Sequence, residues 1–235
     1  MHSSARHQRH RHDSSGEEGA NATKGLVLND GWRYDLLGWF HDTFSSRGAL
    51  RTLRQRTIGL AQPQPGEQAL DVGCGTGTLA LEVARYLSPG GSITGVDPGS
   101  QQIDRARAKA ARRHAPQVSI DFKIGVIERL PFPDQTLDVV FSTLMLHHLP
   151  TPLKRQGLAE IARVLKPGGR LVIADFAHKQ ERTGRAARFL AGGSRPRNLE
   201  ALLQEAGFVQ LVTEEARPPR FSAFPGANII RAHRR

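Results

Sequence analysis

One cysteine, Cys74, stands in the 235 residues, which excludes an internal disulfide framework and a cysteine-based zinc cluster. Long hydrophobic runs are missing as well: nothing approaches the roughly eighteen apolar residues of a membrane span. The first residues hold no apolar segment of the kind that directs secretion, only a polar stretch rich in His, Arg, Ser and Gly from Met1 to about Lys24. Such a composition buries too little apolar surface to order itself, so residues 1–24 are expected to be a disordered tail and the chain soluble and cytoplasmic. The formal charge is +11, yet a dense basic stripe is absent: 27 of the 33 basic residues are arginine, scattered from Arg6 to Arg235. A scattered charge is a poor footprint for a nucleic-acid partner, although it permits peripheral contact with anionic lipid headgroups.

Short aliphatic or β-branched runs alternate with longer amphipathic ones, the pattern of a parallel sheet with crossover helices. Strands are expected at Gln68 to Val72, Ser92 to Val96, Val118 to Ile124, Leu137 to Thr143 and Arg170 to Asp175, closed by Phe208 to Thr213 and Phe224 to Arg231. Helices are expected at Leu79 to Leu87, Gln101 to Arg113, Leu153 to Leu165, Arg182 to Leu190 and Asn198 to Ala206. Lys166-Pro167-Gly168-Gly169 reads as a helix stop followed by a sharp reversal. Upstream, Trp32 to Phe44 and Ala49 to Leu60 read as short amphipathic helices placed over the mouth of a site, set off by the breaker run Gln62-Pro63-Gln64-Pro65-Gly66. The expected organisation is thus a tail at 1–24, a helical cap at 25–62 and one α/β domain at 63–235: a doubly wound, Rossmann-like, seven-stranded, mostly parallel sheet with helices on both faces.

Leu70-Asp71-Val72-Gly73-Cys74-Gly75-Thr76-Gly77-Thr78 runs an apolar strand into three glycines and then a helix. At the carboxyl end of a strand in an open α/β sheet, such a turn lets main chain approach a ligand closely. The dinucleotide fingerprint requires a third glycine at position 78, where Thr stands instead. Asp71 beside the loop would repel a pyrophosphate but can accept hydrogen bonds from an ammonium group or water. Asp97 ends the second strand, where an acid can accept both hydroxyls of a ribose. Together they describe a ligand with a ribose and a charged, amino-acid-like tail.

With Val96-Asp97-Pro98, Leu130-Pro131-Phe132-Pro133-Asp134 leading to Leu137-Asp138-Val139-Val140, and Leu165-Lys166-Pro167-Gly168-Gly169, the segment from Gly66 to Phe176 resembles the class I S-adenosylmethionine-dependent methyltransferases. Tyr34-Asp35-Leu36-Leu37 is similar to a segment of the ubiquinone and menaquinone biosynthesis methyltransferases. The resemblance implies S-adenosylmethionine as cofactor and S-adenosylhomocysteine as product. It implies that Gly73, Cys74, Gly75, Thr76 and Gly77 line the methionine part, that Asp71 orients its amino group, and that Asp97 holds the ribose. Pro98, Val126, Ile127, Ser142 and Thr143 complete the implied contacts. One departure is Gly125-Val126-Ile127-Glu128, where many relatives carry an Asp for the adenine amino group. Val126 cannot accept that bond, which leaves main-chain groups and apolar contact from Ile127 and Pro98.

A sulfonium methyl is already reactive, so the protein mainly positions the reactants and excludes water, with a base only where the acceptor must lose a proton. His147 and His148, after the fourth strand, are the candidates; an equally ordinary role for them is to hydrogen-bond main chain ahead of the next helix. No metal site is expected, because adjacent side chains should point apart and no third ligand is near. Tyr34, Trp39 and Phe40 are candidates to cover an apolar pocket, or else to form core. The expected acceptor is a small or lipid-like organic molecule. An RNA or DNA methyltransferase and a non-catalytic S-adenosylmethionine-binding module remain as alternatives. Cys74 lies inside the glycine loop, which argues against a cysteine nucleophile of the cytosine type, and Thr143-Leu144-Met145-Leu146 replaces the motif of exocyclic-amine enzymes.

Overall fold

The computed structural model describes residues 48–112, 117–176, 197–216 and 226–235. The expected tail at 1–24, the helices at Trp32 to Phe44 and Arg182 to Leu190, and the residues Tyr34, Trp39 and Phe40 lie outside them.

Among the described residues the elements are α1 (Ala49–Ala61), β1 (Gln68–Val72), α2 (Thr78–Val83), β2 (Ser92–Asp97), α3 (Ser100–Ala111), β3 (Ser119–Ile124), β4 (Leu137–Thr143), a 3₁₀ turn (Leu146–His148), α4 (Thr151–Val164), β5 (Leu165–Phe176), α5 (Arg197–Glu205), β6 (Phe208–Ala216) and β7 (Ala227–Arg234). The seven strands form one sheet in the order β3-β2-β1-β4-β5-β7-β6, and only β7 runs antiparallel to its neighbours. This is the expected doubly wound arrangement. The chain reverses its direction of travel across the sheet between β1 and β4, the place where such folds open a crevice beyond the strand ends.

Central strands buried on both faces explain why the sequence reads as continuous apolar runs there. Leu53, Ile58, Leu81, Ile103, Phe122, Val139, Phe141 and Val172 pack the face covered by α1, α2 and α3. Leu70, Val72, Val140, Leu158, Ile161, Ile173, Leu203 and Phe208 pack the face covered by α4 and α5.

Four expectations are corrected. α1, expected over the mouth of the site, lies along the sheet against β5 and β7 with Leu50, Leu53, Ile58 and Ala61 buried. Its carboxyl end is tied down where β5 begins, since Arg170 donates to the carbonyls of Ala61 and Gln62. Arg56 donates to the Glu215 carbonyl near the end of β6, so the amino end of α1 points toward the carboxyl edge of the sheet. The helix expected to run to Leu87 stops at Val83, and Arg85, Tyr86 and Leu87 continue in tighter bonds to carbonyls three residues back. Finally, Leu165 already pairs with Leu137 and Arg170 pairs with Val139, so Lys166 to Gly169 bulge out of one long β5 instead of standing before it. Gly168 at φ +75° makes that bulge. The closing strands also run to Ala216 and Arg234, past the expected ends.

Candidate active site

The glycine loop connects β1 to α2 at the carboxyl edge, and its residues divide by the direction they face. Gly73, Gly75 and Gly77 all have positive φ. A Cβ on Gly73 would collide with the Met145 side chain, and one on Gly77 would lie 2.6 Å from the Phe122 ring. A Cβ on Gly75 would meet nothing within 4 Å. Only Gly75, then, opens onto ligand space; Gly73 and Gly77 are glycine so that neighbouring elements can pack.

Cys74 and Thr76, both expected to line the cofactor, turn inward. The Cys74 side chain is buried in the core beside Gly95, and burial, with the charges of Asp71 and Asp97, pushes its thiol up from the ordinary range. Thr76 is buried and accepts a hydrogen bond from Lys109 of α3 at 2.7 Å. A five-residue turn has no periodicity from which the inward and outward side chains can be told in advance.

Asp71 and Asp97 flank Gly75. The Asp97 carboxylate accepts from the Gly75 N–H at 2.9 Å and from the Gly99 N–H at 2.8 Å, so the acid that ends β2 also shapes the loop. Asp71 is 1 % exposed. Burial, and next the negative charge of Asp97, push its carboxyl up to about 7, against the effect of an N–H bond from Ala80. Its Oδ2 has no hydrogen-bond partner, and the buried hydroxyls of Ser142 and Thr143 at the end of β4 are likewise unpartnered. Orphaned buried acceptors are costly, and a ligand bearing an ammonium group would relieve the one on Asp71. The residues therefore fit S-adenosylmethionine.

On the adenine side, Pro98 is half-buried just beyond Asp97. Val126 is half-buried and its carbonyl accepts from the Arg129 N–H in a tight turn. Ile127 is corrected: its side chain is buried in the core, where a Cβ on Gly157 would collide with it, so it offers a ligand only main chain.

Beyond β4 the backbone takes a left-handed step at Leu144, φ +53°, and then seats Met145 on the glycine loop. The 3₁₀ turn that follows carries both histidines. The His147 N–H donates to Asp175 Oδ2 at 2.9 Å, and its Nδ1 lies 2.7 Å from Asp175 Oδ1. His148 is exposed, and its N–H closes the turn onto Met145. The two rings do not point apart as adjacent side chains on a strand would; in the 3₁₀ turn their centroids are 3.8 Å apart. The edge of the Phe176 ring completes the surround of His147, with ring centroids 4.7 Å apart.

Asp175, at the carboxyl end of β5, is buried, as is Lys154 on the core-facing side of α4. Burial holds the Lys154 ammonium below its ordinary range, and the nearby charge of Asp175 opposes that. Sequence reasoning missed both residues. The signals were available: Asp175 ends a strand as Asp97 does, and Lys154 sits on the apolar stripe with Leu158 and Ile161.

The match to known proteins covers this same stretch. Residues 69–169 match the methyltransferase domain family. Residues 69–169 are thus a methyltransferase domain. The chain is 36% identical over 151 residues to the ubiquinone/menaquinone biosynthesis C-methyltransferase UbiE of Geobacter sulfurreducens, covering 64% of this chain and 56% of that protein. It is 31% identical over 138 residues to the 27-O-demethylrifamycin SV methyltransferase of Amycolatopsis mediterranei, covering 59% and 49%. The chain thus spans about half the length of the curated relatives it matches. The methyltransferase domain also shares its fold with a SAM-dependent methyltransferase from Aquifex aeolicus, at TM-score 0.63 and 18% identity over 87% of this chain and 98% of that one. Among the described residues no helix is long and apolar enough to cross a membrane.

Proposed function

We propose that this protein transfers the methyl group of S-adenosylmethionine to a small or lipid-like organic acceptor. The observation that carries this reading is the open face of Gly75 set beside the unpartnered, buried Oδ2 of Asp71 at the switch point of the sheet. Asp71 receives the amino group of the methionine part, Asp97 the ribose hydroxyls, and main chain near Pro98 and Val126 the adenine; Ser142 and Thr143, at the carboxyl end of β4, complete the lining. When bound, S-adenosylmethionine supplies an electrophilic methyl group. The chain's own residues orient the acceptor, exclude water and, at Nε2 of His147, take up a proton where the acceptor must lose one. Tyr34, Trp39 and Phe40, outside the described residues, are the sequence's candidates to cover the acceptor.

Small acceptors are favoured over RNA by the charge pattern and by the named relatives. Arg54, Arg155, Arg163, Lys166 and Arg170 are each paired with a carboxylate, which removes them from any phosphate-binding stripe. The names of the relatives point to a quinone and to a rifamycin. Incubation with S-adenosylmethionine and a panel of phenols, amines and quinones, run beside RNA, tests the reading. S-adenosylhomocysteine formed with a small acceptor is expected. Methylation of RNA alone, or no turnover by a protein that binds the cofactor, overturns it.

A further inference from the structure

Asp175 receives three donors on two oxygens: the His147 N–H on Oδ2, and Nδ1 of His147 together with the Phe176 N–H on Oδ1. A carboxylate only accepts, so at 2.7 Å the imidazole must present Nδ1 as its N–H, which leaves the lone pair on Nε2. The same carboxylate holds both the ring and the main chain of His147. The grip fixes the ring's direction as well as its tautomer. The His147 side chain is one-fifth exposed, so it is neither sealed in the core nor loose in solvent. It stands two residues beyond Met145, whose side chain rests on Gly73 of the glycine loop.

Lys154 is 6 % exposed on the stripe of α4 that faces the sheet. A buried lysine is expensive unless it compensates a charge, and among the described residues Asp175 is the charge that acts on it. Carboxylate and imidazole thus stand together just beyond β4 and at the end of β5. The arrangement is more than the main-chain tether that an ordinary turn histidine requires.

We propose that Asp175 is the positioning residue that commits His147 to act as a base through Nε2. This rests on the methyltransferase reading above. As the oxygen of a hydroxylic acceptor bonds to the methyl carbon, its proton passes to Nε2. The carbon–sulfur bond breaks with its electron pair going to sulfur, leaving S-adenosylhomocysteine, and the imidazolium, stabilised by Asp175, later returns the proton to water. A neutral amine presents its lone pair without such help and can lose its proton after transfer. The device therefore discriminates by acceptor chemistry.

The test uses the full chain and reads the tautomer directly. Nitrogen-15 spectra of the imidazoles, with the His147 signals assigned by their loss in His147→Gln, should show the Nδ1–H form dominating in the wild type. In Asp175→Asn the ratio of Nδ1–H to Nε2–H should fall by about five-fold, the factor expected when a charge-assisted hydrogen bond becomes a neutral one. With a hydroxylic acceptor from the panel above, kcat should fall about 100-fold in Asp175→Asn and partly recover in Asp175→Glu. KM for that acceptor, affinity for S-adenosylhomocysteine and turnover of an amine should hold. A wild-type ring in the Nε2–H form overturns the proposal even if Asp175→Asn does not fold, and so does an unchanged ratio in a folded variant. Loss of cofactor binding in the wild type would instead remove the methyltransferase reading while leaving the tautomer result standing.

Discussion

Asp71 sets the pH behaviour of the site. Its carboxyl goes from 3.8 in the unfolded chain to about 7 in the fold, so between these values the native state binds the additional proton. Stability of the unliganded protein from this group is then full below about pH 4 and is lost as pH rises toward 7, a penalty on the order of 4 kcal/mol. An ammonium ligand prefers the ionised carboxylate. Affinity for S-adenosylhomocysteine should accordingly rise with pH through about 7 and then level off, with a proton released on binding below that point. Calorimetry in two buffers of different ionisation heat checks this, and Asp71→Asn should abolish the proton release. At this scale the sequence was legible for Asp71 and Asp97, which stand with the glycine loop, but not for Asp175, whose strand end carries no such loop beside it. It was not legible for Cys74, Thr76 and Ile127, whose direction is decided by Gly95, Lys109 and Gly157 on other elements.

Among the elements, α1 carries a local flaw that can be repaired. Gln62 caps it in the left-handed conformation at φ 49°, where Gly is the unstrained residue. The bond from Arg170 uses the Gln62 carbonyl and survives substitution. Gln62→Gly should therefore stabilise the protein by about 0.5–1 kcal/mol, read as a higher midpoint in urea with an unchanged slope. The elements themselves were mostly legible, since buried parallel strands and amphipathic helices leave different periodicities. β5 was the exception. Pro167-Gly168-Gly169 marks a break by its composition, but whether the break lies before a strand or bulges within one depends on Leu165 finding Leu137 across the sheet.

For the whole molecule, the position of α1 decides where the chain can be cut. A sequence boundary near residue 62 would make α1 part of a removable cap. Yet Leu50, Leu53 and Ile58 are buried against the sheet, each contributing about 1.5–3 kcal/mol. Their loss together is comparable with the roughly 5–15 kcal/mol that holds a domain folded. Removal of residues 1–47 should leave the unfolding midpoint and cofactor affinity near those of the full chain while methyl transfer falls. Removal of residues 1–60 should abolish the cooperative thermal transition. Undiminished methylation after the shorter cut would take Tyr34, Trp39 and Phe40 out of the acceptor site.

The division of labour in the glycine loop gives the most direct test of the proposed cofactor site: titration of S-adenosylhomocysteine into the wild type, Gly75→Val and Gly77→Val, each checked by thermal unfolding. Valine at Gly75 fills only open space and adds about 1–2 kcal/mol of left-handed strain, so the variant should fold and bind nothing. Valine at Gly77 collides with Phe122 and Ala106, so its principal effect should be a marked fall in the unfolding midpoint. One-to-one binding by the wild type, abolished in a folded Gly75→Val, is the expected result; wild-type affinity retained in Gly75→Val would contradict a cofactor seated on this loop.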